Sequence, residues 1–183
     1  MTTNFLAEVE EPSQGDNIIR TKNTDIAPNP AGFGHELYIR MKEHGDSVSQ
    51  VDAETGKSET FNEVLQRCIR VALHLKKRGV TPEDVVAPAT GNHLNTAVAF
   101  VAPLFVGAKL ACIDASTTPA DVLSMVNLTK PKVILACKEY EEKLEAVIKD
   151  ANSETELVIF GETERNTPFE DLLKPLSQDE EEF

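Results

Sequence analysis

The sequence predicts an α/β fold, a doubly wound, mostly parallel sheet with an N-terminal hairpin, from three observations. The short apolar runs "DVVAPA", "KLACI", "KVILA" and "ELVIF" are continuously hydrophobic, as strands buried on both faces are. They alternate with longer segments whose apolar residues recur at three- and four-residue intervals, the period of a helix. The best-marked of those segments open on a capping residue and close on glycine or proline.

Residues 1–30 carry Pro12, Gly15, Pro28 and Pro30, many polar groups and no sustained period; they are expected to form a flexible arm. "FGHELYIRMKEHG" predicts a short helix closed by Gly45. "SVSQVDAETGKSETF" holds two alternating runs around Glu54-Thr55-Gly56-Lys57, a hairpin with a glycine-containing turn. Thr60 with Glu63 three residues later is a capping box. Behind it Val64, Leu65, Cys68, Ile69, Ala72 and Leu75 repeat at helical spacing up to Gly79, a left-handed terminator.

After the first strand, "GNHLNTAVAFVAPLFVGA" is free of charge from Ala97 to Ala108. Those residues number twelve, whereas a bilayer-spanning helix needs about twenty, so a membrane span is excluded. The stretch is expected to be a helix enclosed in the α/β layers, with Phe100 in the core and a kink at Pro103. "TTPADVLSMVNLTKP" supplies a cap at Thr118, a proline at the first helical position and a stop at Pro131. "EYEEKLEAVIKDA" places Leu144, Val147 and Ile148 on one helical side. The folded domain is expected over residues 31–174, with 175–183 a solvated acidic tail.

With 31 acidic against 18 basic residues the net charge is −13, which repels a phosphate backbone; "LKKRG" is too short to form a basic patch, so nucleic acid is not an expected partner. Cys68, Cys112 and Cys137 are odd in number, widely spaced and set in apolar neighbourhoods, which reads as buried thiols rather than a disulfide framework or zinc site. The amino terminus lacks the pattern of a signal or transit peptide. A cytoplasmic location is expected.

Ligands of open α/β sheets bind at the carboxyl ends of the strands. There lie His93, a candidate general base or phosphate contact, and Asp114 with Ser116, Thr117 and Thr118, a candidate metal or ribose ligand. Turn and cap formation is the favoured reading of both groups. No glycine-rich phosphate loop, nucleophile elbow or His-Glu-x-x-His motif is present, and His35, His44 and His74 share no ligand spacing. From the residues, no catalytic, cofactor-binding or metal-binding side chain is assigned.

The order of the pieces does carry a resemblance. "DAETGKSETFNEVLQRCIRVALHLKKRGVTPEDVV" followed by "GNHLNTAVAFVAPLFVGAKLACIDASTTPADVLSMVNLTKPKVIL" resembles the amino-terminal part of the adenylate-forming superfamily: acyl-CoA synthetases, 4-coumarate–CoA ligases and insect luciferase-like enzymes. The shared pieces are the strand–Thr-Phe–helix entry, the Gly-Val-x-Pro-x-Asp-Val-Val link, the helix ending Val-Gly-Ala, an Asp-x-Ser turn and the Pro-Lys-Val-Ile strand. They span about residues 33 to 175, and "NHLNT" with "LFVGA" leans toward the luciferase-like branch. Asp114-Ala115 stands where the family more often has Asp-Pro or Asn-Pro, and Pro103 interrupts a helix commonly unbroken.

The resemblance implies an incomplete portion of a larger adenylate-forming domain. It implies ATP, magnesium and coenzyme A for a full-length relative, and none of them for this chain alone. The family's phosphate loop, ribose-binding Asp and catalytic Lys have no counterpart here, so no role is carried over. The expectation is the N-terminal segment of an ATP-dependent acid–thiol ligase or luciferase-like enzyme, inactive alone, with the remainder of the enzyme or a full-length relative as its partner; a peroxisomal location is open to that relative. The alternative is a non-catalytic regulatory or partner-binding protein derived from such an enzyme. A stand-alone nucleotide-binding module of flavodoxin-like type is disfavoured by the missing phosphate loop.

Overall fold

The computed structural model describes residues 9–10, 20–21, 27–176 and 180. The chain divides into two compact units, residues 1–30 and 31–183. In the first, β1 (Val9–Glu10) pairs antiparallel with β2 (Arg20–Thr21); the rest of the arm expected to be flexible lies almost entirely outside the described residues.

The second unit starts with α1 (Phe33–His44), closed by Gly45, whose φ of 52° is a left-handed value. The hairpin β3 (Val48–Val51) and β4 (Ser58–Thr60) follows. It feeds α2 (Phe61–Lys77) through the capping box: Thr60 Oγ1 accepts from the Glu63 N–H at 3.2 Å and the Glu63 carboxylate accepts from the Thr60 N–H at 2.7 Å. Then come β5 (Val85–Ala89), α3 (Thr96–Phe105), β6 (Lys109–Leu110), α4 (Pro119–Thr129), β7 (Val133–Cys137), a 3₁₀ turn (Lys138–Tyr140), α5 (Glu141–Asp150), β8 (Glu156–Phe160), β9 (Thr167–Pro168) and α6 (Phe169–Leu172).

The last five strands form one sheet in the order β6-β5-β7-β8-β9, every pair parallel. The doubly wound parallel sheet is therefore observed, with one strand more than the four apolar runs. β9 escapes the sequence because it is two residues long and contains Pro168, a residue that argues against a strand because it cannot donate to the ladder. A second proline, Pro88, shapes the opposite edge. Pro88 O accepts from the Ile113 N–H at 2.9 Å, but its ring nitrogen has no hydrogen to return, so the β5–β6 ladder stops at Leu110.

Each sheet face has its own core. On one side Val64, Cys68, Val71, Leu75, Val98 and Ala102 from α2 and α3 pack on Val86, Val133, Leu135 and Val158, with Phe169 and Leu172 of α6. On the other, Val122 and Val126 of α4 and Leu144 and Val147 of α5 cover Ile134, Ala136, Leu157 and Ile159. This alternation along β7 is the period-2 pleat read directly in burial.

Three expectations are corrected. α3 is not enclosed: Val98, Ala99, Ala102 and Pro103 are buried, while Phe100, Val101, Leu104 and Phe105 keep part of their surface open. The reason is position, since α3 lies beside the edge strand, where the layers end. For the same reason Cys112 is exposed, whereas Cys137 is half-buried because it is the last residue of the central strand β7; only Cys68 is a buried thiol. Of the acidic tail, Pro175, Leu176 and Glu180 are described and the rest lies outside. Glu180 is not solvated: its carboxylate accepts from Arg70 Nε at 3.1 Å and from the Leu176 N–H at 3.0 Å.

Candidate functional site

The strand order reverses between β5 and β7, so a ligand crevice is sought at their carboxyl ends. β5 leaves the sheet through Thr90, Gly91, Asn92 and His93. Thr96 Oγ1 accepts from the His93 N–H at 3.1 Å and donates to Gly91 O at 2.8 Å. His93 Nδ1 accepts from the Asn95 N–H at 3.1 Å, and its ring stacks on Phe160 with centroids 5.3 Å apart. One ring nitrogen is thus spent on the entry to α3 and one ring face on Phe160 of β8.

Asp114, at the exit of β6, accepts at Oδ1 from the Ser116 N–H at 3.0 Å and from Ser116 Oγ. These bonds, those from the Ser116 side chain first, hold its carboxyl below the usual carboxylate range. Lys143 of α5 ties the same turn down, donating to Ala115 O at 2.8 Å and Thr117 O at 3.0 Å. Between the two turns lies a pocket of about 230 Å³ bordered by Thr90, Phe100, Cys112, Asp114 and Tyr140. His93 is not among its walls, so the structure does not bring the two sequence candidates together in one site.

A wider cleft of about 1200 Å³ opens beyond β8, lined by Lys138, Glu142, Glu162, Thr163, Glu164, Arg165 and Glu170. Two of these residues, Lys138 and Thr163, bond to a buried residue behind the wall that the sequence reading missed. Glu141, 2% exposed, accepts from the Asn166 amide at 2.8 Å and from Lys138 Nζ and Thr163 Oγ1. Lys138 and then Thr163, by hydrogen bonding to the charged form, hold the Glu141 carboxyl down at about 2. It is a buried anion that pins the β8–β9 loop to the start of α5.

A second buried hub joins the hairpin to the helices. Glu59 accepts from Gln50 Nε2 at 2.7 Å, Lys57 Nζ at 3.0 Å and Arg67, which also donates to Asn95 Oδ1. Nothing in the spacing of Glu59, Arg67 and Asn95 marks them as neighbours; each sits on a different element. Cys68 is chemically quiet, its thiol pushed up to about 12 by burial.

Among the described residues no three His, Cys, Asp or Glu side chains are grouped to hold a metal ion, and every buried side-chain nitrogen or oxygen has a partner. The carboxyl edge presents more acids than bases, with Lys138 and Arg165 already paired to Glu141 and Glu145. These residues do not fit a triphosphate or its magnesium. No helix among the described residues is long and apolar enough to cross a membrane.

A sequence model described as AMP-binding enzyme matches residues 37–182. The chain belongs to the AMP-binding enzyme family. This AMP-binding family chain is 30% identical over 136 residues to 4-coumarate–CoA ligase 2 of Oryza sativa subsp. japonica, covering 74% of itself and 24% of the rice protein. It is 21% identical over 114 residues to luciferin 4-monooxygenase of Photuris pensylvanica, covering 61% of itself and 21% of that protein. Its fold matches the luciferase-like enzyme of the nonluminescent Zophobas morio mealworm with a TM-score of 0.81 at 28% identity, over 86% of this chain and 38% of that one. It matches the red-emitting luciferase of Phrixothrix hirtus with a TM-score of 0.74. The family chain thus spans about a quarter of the length of the curated relatives, and corresponds to the N-terminal region of the adenylate-forming superfamily.

Proposed function

We propose that this chain supplies the N-terminal sheet subdomain of an ATP-dependent acid–thiol ligase or luciferase-like enzyme, and that by itself it does not activate an acid. The observation that carries the reading is the combination of a family match with a carboxyl edge whose polar groups are consumed internally. His93, Asp114, Lys143 and Glu141 each hold a turn or a loop in place, and among the described residues of this edge Lys138, Lys143 and Arg165 are all engaged within the fold. Without groups that neutralise charge developing on a phosphoryl centre, the largest contribution to such catalysis is missing. Its role is then architectural: it sets one wall against which the rest of an adenylate-forming enzyme closes, with ATP, magnesium and coenzyme A held by other segments.

The test is acid-dependent exchange of labelled pyrophosphate into ATP, with 4-coumarate, benzoate and fatty acids offered in turn. The isolated chain is expected to give the rate of buffer. Co-expression with the remaining segments of a luciferase-like or ligase relative is expected to restore exchange. Turnover by the isolated chain, purified free of host ligases, refutes the proposal. Soluble co-complexes that stay silent, together with altered activity of an intact relative on adding this chain, favour the regulatory reading instead.

A further inference from the structure

We propose that the pocket of about 230 Å³ at the carboxyl ends of β5 and β6 binds a small primary ammonium with a short apolar body, held through the free oxygen of Asp114. The proposal goes beyond the ligase reading and does not depend on it. The pocket sits where open α/β sheets bind ligands. α3, which follows β5, packs on one face of the sheet and α4, which follows β6, on the other. The two connections therefore part and leave a crevice at the strand ends.

The lining leaves one acceptor open. Pro88, Phe100, Ile113 and Ala115 supply apolar wall, and Thr90 Oγ1 is spent on Gly91 O and Thr96. Asp114 differs: its Oδ1 takes both bonds from Ser116, and among the described residues nothing donates to Oδ2. A carboxylate oxygen with open lone pairs beside an apolar pocket calls for an N–H or O–H donor. A charged donor makes a bond roughly twice as strong as a neutral one.

The surrounding charge selects the cation. The Tyr140 phenol is held above its ordinary value first by its hydrogen bond to Glu139 and, least, by the Asp114 charge, so both carboxylates act at the Tyr140 side of the pocket. Lys143 opposes them, but its ammonium is spent on Ala115 O and Thr117 O, and its charge is the smallest of the influences on the Asp114 carboxyl. The chain as a whole carries −13. An ammonium is thus attracted where a carboxylate or phosphate is repelled, and the aromatic walls Phe100 and Tyr140 favour a cation further. The volume lies below the ~300 Å³ at which drug-sized sites begin, so the body of the ligand is one ring or a few methylenes.

The experiment titrates the whole chain with phenethylammonium chloride, followed by amide NMR, with 2-phenylethanol and phenylacetate as neutral and anionic probes of the same shape. The ammonium is expected to shift the amides of Ile113, Asp114, Ala115 and Tyr140 along one saturation curve. The alcohol should bind more weakly by about tenfold, equivalent to 1.4 kcal/mol, and phenylacetate should leave these amides unmoved. Asp114→Asn keeps an acceptor for Ser116 but removes the charge, and is expected to weaken the ammonium by about tenfold or more at an unchanged melting temperature. If it also lowers the melting temperature, Cys112→Phe, which fills the pocket from an exposed position, carries the same expectation. No saturable shift by about 10 mM, a weak limit for a ligand of this size, overturns the proposal. So does an alcohol that binds as tightly as the ammonium, which removes the carboxylate from recognition. Shifts centred on other residues, or an affinity unaltered by both substitutions, overturn it by placing the site elsewhere.

Discussion

Replacing Glu141 tests whether a buried anion organises the carboxyl edge. In Glu141→Ala, Thr163 loses its acceptor inside the fold, Asn166 keeps only Glu145, and half-exposed Lys138 loses its partner. Hydrogen bonds from neutral donors to a charged acceptor are worth about 1.5 to 3 kcal/mol each. A lysine in contact with solvent adds about 1 kcal/mol at most. Because the loop can relax toward water, the expected loss is about 3 kcal/mol in all, or a melting temperature lower by about 6 to 12 °C for a domain of this size. Glu141→Gln keeps the shape and is expected to lose less.

The pH dependence has a definite sign. The folded-state value for Glu141 is about 2 against an ordinary 4.5, so the unfolded chain binds the proton more readily. The stabilisation from this group is complete above 4.5 and is lost as pH falls toward 2. Melting curves by circular dichroism between pH 7 and pH 3 should therefore show wild type and Glu141→Gln converging as acid is added. Equal stabilities at pH 7, or a constant gap down to pH 3, would show that the buried carboxylate does not hold the loop.

The contrast within α3 is direct. Ala99→Asp puts a charge at a fully buried position and is expected to cost about 3 kcal/mol or more, whereas Phe100→Asp, at a half-open position, should cost about 1 to 2 kcal/mol; urea midpoints that rank the two the other way contradict the placement of α3. Gly34→Ala brings a methyl to 1.9 Å from Leu104 O, so α1 and α3 must separate, at an expected cost of about 2 to 3 kcal/mol; an unchanged melt would mean that the two helices do not approach so closely. Raising salt shortens the Debye length from about 10 Å at 0.1 M to about 3 Å at 1 M and should increase the oligomer fraction seen by light scattering, since copies carrying −13 repel; a fraction independent of salt argues against repulsion as the brake.

What the sequence determined by itself is everything set by neighbours along the chain. The Thr60–Glu63 box, the Thr118 cap with Pro119, the left-handed Gly45 and Gly79, and the apolar runs of β5, β7 and β8 were legible because caps, turns and periodicity act over a few residues. Alternation of those runs with helices was enough for the parallel, doubly wound sheet. Asp114 and His93 were likewise readable as turn formers, since their partners Ser116 and Asn95 lie two residues away. The tertiary structure alone decided which apolar residues are inside, because burial depends on where a strand falls in the sheet order. β6 at the edge leaves Cys112 and part of Phe100 open, although their local sequences look like core. It also decided the contacts between distant elements. Gly34 is a glycine because a carbonyl from α3 passes over it. Glu141 is a buried anion because a loop more than twenty residues later supplies Thr163 and Asn166, and low-dielectric surroundings make such a charge stable only where those donors converge.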